Sequence, residues 1–362
     1  MNMSFLTRIF GCTVALMTSS PAYAQQQTQM HSQQNGSYSQ GHAMTEQQLS
    51  SGYNHPARID VESSWDFYLR GDFIYWQPRA ELVQLGFSNP STNIASLPNV
   101  GGTMINMDFD WEPGFKTGVG LAFPRGDWDV YLEWTRLHMR DNISANSPPG
   151  GSITYLRLAV PSEIPMFSAS QSWKMDIDLV DIELARSYYV GRHLTFRPFF
   201  SIRAGWLDQK LSNDSLFSSN GFPSVFSTKS DSWLLGPRAG IDTNWIFGYG
   251  FRMITNAATS LVYTRIKNRT EQNDVLNQVD FDLMYVIRSR GVTVAPNLEI
   301  AQGFGWGTYF DRNNWHFDLK ALYEFHVFWN QVTFPADSNT PGNPGEGNLY
   351  FHGLTISASL DL

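Results

Sequence analysis

The chain ends Leu354-Thr355-Ile356-Ser357-Ala358-Ser359-Leu360-Asp361-Leu362. Leu354, Ile356, Ala358, Leu360 and Leu362 occupy one phase of a period-two alternation, and Thr355, Ser357, Ser359 and Asp361 occupy the other. Successive side chains of a strand point to opposite faces, so this segment is a strand with one apolar and one polar side. A soluble sandwich can also finish in a strand. An apolar phase that continues to the last residue, however, is what a C-terminal strand inserted into an outer membrane needs.

Upstream the pattern recurs in longer pieces. Trp315, Phe317, Leu319, Ala321, Tyr323, Phe325, Val327 and Trp329 share one phase, opposed by His316, Asp318, Lys320, Glu324 and His326. Phe115, Thr117, Val119, Leu121 and Phe123 oppose Lys116 and small residues, and after Pro124-Arg125-Gly126 the residues Trp128, Val130, Leu132 and Trp134 oppose Asp127, Asp129, Tyr131 and Glu133. Two such runs across a tight turn form a hairpin. Phe196, Phe200, Ile202, Ala204 and Trp206 likewise oppose Arg197, Ser201 and Arg203. Soluble sheets alternate too, but they seldom place several aromatics on one face of so many strands, and their strands are shorter.

The expectation is an all-β fold, a transmembrane antiparallel up-and-down β-barrel. Ten strands are expected at 65–77, 108–123, 127–139, 174–190, 194–210, 231–245, 249–266, 292–310, 315–329 and 350–362. An even count puts both ends of the barrel on the periplasmic side. The connections 124–126, 191–193, 247–248 and 311–314 are then short and periplasmic, whereas 78–107, 140–173, 211–230, 267–291 and 330–349 become long extracellular loops. Val279 to Leu283 also alternates, so twelve strands is the alternative; an ordered loop is preferred there. Trp306, Tyr309, Phe310 and Trp315 crowd one turn, where a periplasmic aromatic girdle belongs.

Composition agrees. Charged residues make up only 16% of the 362 and the net charge is −8, which leaves no basic surface for nucleic acid. No run of eighteen apolar residues offers a spanning helix, although the chain holds 12 Trp, 15 Tyr and 25 Phe. Met1 to Ala24 combines Arg8, an apolar core from Ile9 to Met17 and small residues at Ala22 and Ala24, and is expected to be a secretory signal cleaved near Ala24. Cleavage there would remove Cys12, the single cysteine. Residues 25–60 are Gln- and Ser-rich and are expected to stay disordered in the periplasm, ahead of a barrel over 61–362.

Three ordered blocks add a resemblance. Phe109-Asp110-Trp111-Glu112-Pro113-Gly114-Phe115, Gly126-Asp127-Trp128-Asp129-Val130-Tyr131-Leu132-Glu133-Trp134-Thr135, and Gly305-Trp306-Gly307-Thr308-Tyr309-Phe310 running into Asn314-Trp315-His316-Phe317-Asp318-Leu319 resemble the Legionella-type major outer membrane protein family, also found in chlamydia-like bacteria. The resemblance implies a porin in the bacterial outer membrane and carries over no catalytic residue. The chlamydial members crosslink through disulfides, which a mature chain without cysteine cannot do.

A barrel side chain points either to lipid or to the lumen, so the partners of the greasy phase list the lumen. That inward set comprises Asp66, Asp72, Asp127, Asp129, Glu133, Asp181, Glu183, Asp242, Glu299, Asp318 and Glu324, against Arg70, Lys116, Arg197, Arg203, Arg238, Arg252 and Lys320. Seven cations facing eleven anions give a mild preference for cations if the path is open. Arg70, Lys116, Asp127, Asp129, Glu133, Arg197, Arg203 and Asp318 are the expected pore-lining residues for small hydrophilic solutes. The competing expectation is that these charges pair and fill a narrow interior, leaving a structural or adhesive barrel. A hydrolase built on His138, Asp141 and Ser144 is the weakest reading. No catalytic residue, metal site or cofactor is expected, and the partners are outer-membrane lipid and solute; self-association into a homo-oligomer stays open. His316 and His326 are ten residues apart on one strand, about 33 Å, too far to share a metal. Gly303, Gly305 and Gly307 alternate within a strand and form no phosphate loop; they are expected to leave room in the lumen or at the turn.

Overall fold

The structure is a computed structural model that describes residues 55–61, 66–90, 102–123, 126–155, 166–217, 223–274, 282–334 and 345–362. The expected signal and most of the expected tail lie outside these residues. Ten long strands make the wall: β1 (Phe67–Ala80), β2 (Glu112–Phe123), β3 (Trp128–Asn146), β4 (Met166–Arg186), β5 (Leu194–Phe217), β6 (Pro223–Gly248), β7 (Phe251–Asp274), β8 (Asp282–Phe310), β9 (Trp315–Val332) and β10 (Gly347–Asp361). Each pairs antiparallel with its chain neighbours, and β10 closes onto β1 with Leu354 opposite Tyr75 and Ile356 opposite Phe73. The barrel therefore has no open seam, and the C-terminal alternation supplies the closing strand.

The expected count stands at ten, but most strands run further outward than expected; β2 is the exception, starting at Glu112 rather than at 108. Residues 140–146, 166–173, 211–217, 223–230 and 267–274 were expected in loops and are strand. Asp282 and Leu283 open β8 rather than sit in a loop, and Val279 to Phe281 lie outside the described residues. Much of this added strand lies beyond a reversal of polarity, which is clearest on β4. On β4, Ile182 and Leu184 are 54 and 45% exposed while Asp181 and Glu183 are nearly buried; a few residues nearer the outer end, Trp173, Met175 and Ile177 face inward and Lys174, Asp176 and Asp178 face out. Within the membrane the exterior must be apolar, and above it the exterior meets water and the interior becomes an ordinary core.

The exposed apolar belt marks the membrane. At its periplasmic border stand Phe123, Trp128, Trp245, Phe251, Phe310 and Trp315, so the girdle is wider than one turn, while Tyr309, expected in it, faces the lumen beside His316. At its outer border stand Tyr75, Trp134, Trp206, Trp233, Tyr263 and Tyr323, a second girdle that the sequence reading did not single out. The last residues before the barrel, expected to be unstructured, follow the periplasmic rim: His55–Pro56 pairs with Tyr188–Tyr189, and the Ala57 N–H donates to the Ser187 carbonyl.

At the outer end, chain segments fold inward. Val83, Met107 and Phe334 are buried with Trp76, Leu137, Trp173, Leu207, Leu211, Val262 and Phe351 in one cluster. Polar wall residues hold these segments by their backbones: Gln171 Nε2 donates to the Val83 carbonyl, Gln209 Nε2 to the Gln331 carbonyl and Asn268 Nδ2 to the Thr333 carbonyl. Part of the 330–349 connection is thus a constriction rather than a free loop. Short strands Gly86–Asn89, Thr103–Ile105 and Ser152–Tyr155 add a small flap to the outer end of β4.

Candidate functional site

Register builds the site. Arg70, Gly118, Glu133, Asp181 and Arg203 stand opposite one another across β1 to β5, all on the inner phase. Four residues further along each strand, about 13 Å, the same five strands present Ile74, Gly114, Leu137, Ile177 and Leu207. Along these five strands the lumen is therefore ionic at membrane level and apolar one step above it.

Every cation expected in the lumen is within ion-pair distance of a carboxylate. Arg70 donates to Asp72 from Nε at 2.9 Å and from Nη2 at 2.7 Å. Lys116 Nζ is 2.8 Å from Glu324, which also meets His326 at 2.8 Å. Arg197 holds Asp129 through two hydrogen bonds at 2.9 and 2.8 Å and reaches Asp242 at 2.9 Å. Arg203 holds Asp181 through two at 2.8 and 2.7 Å and also pairs with Glu299. Arg238 bridges Glu183 and Glu299, Arg252 pairs with Asp318, and Lys320 lies 3.5 Å from Asp318. Bidentate arginine–carboxylate geometry is the strong form of such contacts.

Several pairs join strands that are not neighbours. Lys116 on β2 reaches Glu324 on β9, and Arg203 on β5 reaches Glu299 on β8. They cross the lumen as chords and hold its section. A cavity of about 420 Å³ remains among them, lined from Arg58, Asp66 and Asp361 at the periplasmic rim to Glu324 and His326. Above it lies an aromatic ceiling: Trp76 packs on His326 with centroids 4.6 Å apart, and Lys116 Nζ lies 4.9 Å from the Trp76 ring.

Of the eight expected lining residues, Arg70, Lys116, Asp129, Glu133, Arg197, Arg203 and Asp318 meet in this lattice. Asp127 also lines the cavity, at its periplasmic rim, in the turn after Gly126 and 3.9 Å from Arg186. Tyr131, placed on the inward phase but not among the expected lining residues, and Tyr68, not singled out, stack inside with centroids 5.6 Å apart, and the Tyr131 hydroxyl donates to Glu133. Their inward phase was readable from the alternation. His138, Asp141 and Ser144 do not assemble: His138 and Ser144 face outward and Asp141 faces the lumen, with His138 paired to Asp176 on β4. Residues three apart on a strand point to opposite faces, which removes that triad. Of the three glycines, Gly303 allows β8 to approach β9, since a Cβ there would collide with the Ala321 carbonyl, while Gly305 and Gly307 leave space for Arg252 and His316.

A closed ten-stranded antiparallel wall, greasy outside between two aromatic girdles and ionic within, is a membrane β-barrel of the outer-membrane class. The chain belongs to the Legionella pneumophila major outer membrane protein precursor family, whose family model matches residues 58–362, and it is an outer-membrane protein. No curated protein matches it. Among solved structures, a Pseudomonas aeruginosa FadL homologue is similar at 7% identity over 81% of this chain and 89% of that one, with a TM-score of 0.28. The transport unit of the autotransporter AIDA-I from Escherichia coli gives 8%, 84%, 93% and 0.27 on the same measures. The TodX deltaS2S3 mutant monoaromatic hydrocarbon channel gives 8%, 82%, 90% and 0.25. Those TM-scores carry no argument about cargo.

Proposed function

We propose that the protein is a porin for small hydrophilic solutes, in its shut conformation in this structure. One observation carries the reading. Above the membrane this chain fills its lumen largely with uncharged side chains, an apolar cluster bordered by buried polar groups such as Gln209, Thr228 and Ser230, which stiffens a narrow barrel without ion pairs. At membrane level it instead keeps a charged cavity of about 420 Å³. Buried ion pairs are poor stabilisers compared with apolar packing of the same volume, so a wet, charged section is better explained by solutes that need it. Charged walls lower the desolvation cost that lipid imposes on a polar solute, and eleven carboxylates against seven cations favour cations.

The seal contains removable parts. Val83, Met107 and Phe334 come from connections rather than from the wall. Purified protein in planar bilayers is expected to open rarely, and a Val83→Ser/Met107→Ser/Phe334→Ser variant is expected to raise the open probability at least tenfold. A second reading, a structural barrel with a permanently filled lumen, is favoured by the pairing of all seven cations. It requires both proteins to stay silent. No enzymatic role is proposed. Export through a signal removed near Ala24 remains part of this reading, and N-terminal sequencing of protein extracted from the membrane tests it.

A further inference from the structure

Above the outer girdle the exterior is charged unevenly. On β7 and β8 the outward phase carries Arg265, Lys267 and Arg269 against Arg290 and Arg288, with Lys267 directly opposite Arg290 and Arg269 directly opposite Arg288. All five are exposed. Opposed side chains in a sheet start from Cβ atoms about 4.5–5.5 Å apart, and like charges there repel. Among the described residues, Arg269 meets Glu271, whereas Arg265, Lys267, Arg288 and Arg290 have no carboxylate within 4.0 Å. The acid in register with Lys267 on β6, Asp231, is taken by Lys229 at 2.8 Å. Among the described residues this ladder of five cations holds one ion pair, Arg269 with Glu271, and the remaining excess calls for an external anion.

Its height says which. Arg265 lies opposite Val292, and Tyr263 opposite Val294; these outward-facing apolar residues are the top of the lipid belt, so the cations begin where the acyl chains end. At the same height on β4 and β5, Lys174 and Lys210 also face each other without a carboxylate within 4.0 Å among the described residues, but Asp176, Asp178 and Asp208 share their outward phase, so the summed charge of these two strands has no cationic excess. We propose that the β7–β8 ladder docks the phosphorylated headgroup of an outer-leaflet glycolipid, with phosphate oxygens bridging Lys267 to Arg290 and capped by Arg265 and Arg288. Cations at this level attract anionic headgroups, by about fivefold each. The inference rests on the barrel's membrane placement and on its long connections facing outward; it does not depend on conduction.

The test uses the intact barrel in neutral detergent, with diphosphorylated lipid A as the probe and bound lipid counted by native mass spectrometry. The R265Q/K267Q/R288Q/R290Q variant is expected to bind at least tenfold more weakly, while K174Q/K210Q stays within twofold of the parent. Added salt should weaken parental binding. Lipid-free, the fourfold variant should melt no lower than the parent, because two like-charge contacts are relieved. Should it fail to fold, R290E serves instead: it places a carboxylate beside Lys267 and should weaken binding in the same direction. Undiminished binding by these variants, equal binding of fully dephosphorylated lipid A, or displacement of lipid A by equimolar phosphatidylglycerol would overturn the proposal.

Discussion

Arg203 carries two carboxylates, Asp181 and Glu299, with only 5% of its side chain exposed. Removing one member of a buried pair leaves a charge without a partner, at a cost of about 3–5 kcal/mol, whereas replacing both by apolar groups can be neutral. Arg203→Ala is therefore expected to lower the unfolding midpoint sharply in detergent titrations with urea. Arg203→Met combined with Asp181→Leu should recover most of the loss. Gly353 tests closure at the same scale. A Cβ there would run into the Tyr75 carbonyl and stand 2.7 Å from Trp76 Cα, so β10 could not approach β1 at its present distance. Gly353→Val is expected to cost about 1–3 kcal/mol as overpacking, and a shift in heat-modified gel mobility at lower temperature would report it.

A single strand holds two solvents' worth of rules. On β4, Ile182 and Ser170 share the outward phase, yet one faces lipid and the other lies past the girdle. Ile182→Arg should cost about 2–4 kcal/mol in vesicle-based unfolding, the usual penalty for a cation at the midplane of a lipid-facing wall. Ser170→Arg should change stability by less than about 0.5 kcal/mol. Equal costs at the two positions would mean that the polarity reversal does not mark the membrane border. This reversal was written in the run Lys174-Met175-Asp176-Ile177-Asp178-Leu179-Val180-Asp181-Ile182-Glu183-Leu184. The adjacent apolar pair Leu179-Val180 is where the greasy phase changes side. The expected strand crosses that switch as far as Lys174 and ends where the alternation weakens in Ser168-Ala169-Ser170-Gln171-Ser172, short of the observed start at Met166.

At the scale of the barrel, the chords decide the shape of the lumen and, on the proposed porin reading, its selectivity. Lys116 spans the lumen to Glu324 beneath the Trp76 ceiling, a place that a solute on the proposed path would pass. Lys116→Glu would remove a cation and add an anion at that level. Given conduction, reversal potentials across a KCl gradient should move toward stronger cation preference, and stability should fall because Glu324 loses its partner. An unchanged reversal potential with conduction intact would place the path elsewhere.

The alternation by itself determined the strand count, the antiparallel order, the lipid face and the inward phase, because a strand's two-residue period ties each side chain to one side of the wall. It named most of the lattice for the same reason. What it left undecided was whether those charges line a path or close it, since pairing depends on which non-neighbouring strands face one another across the lumen. Arg203 and Glu299 are 96 positions apart, and nothing local links them. The inward fold of Val83, Met107 and Phe334, and the cation ladder between β7 and β8, likewise exist only once closure and register bring distant segments to one height.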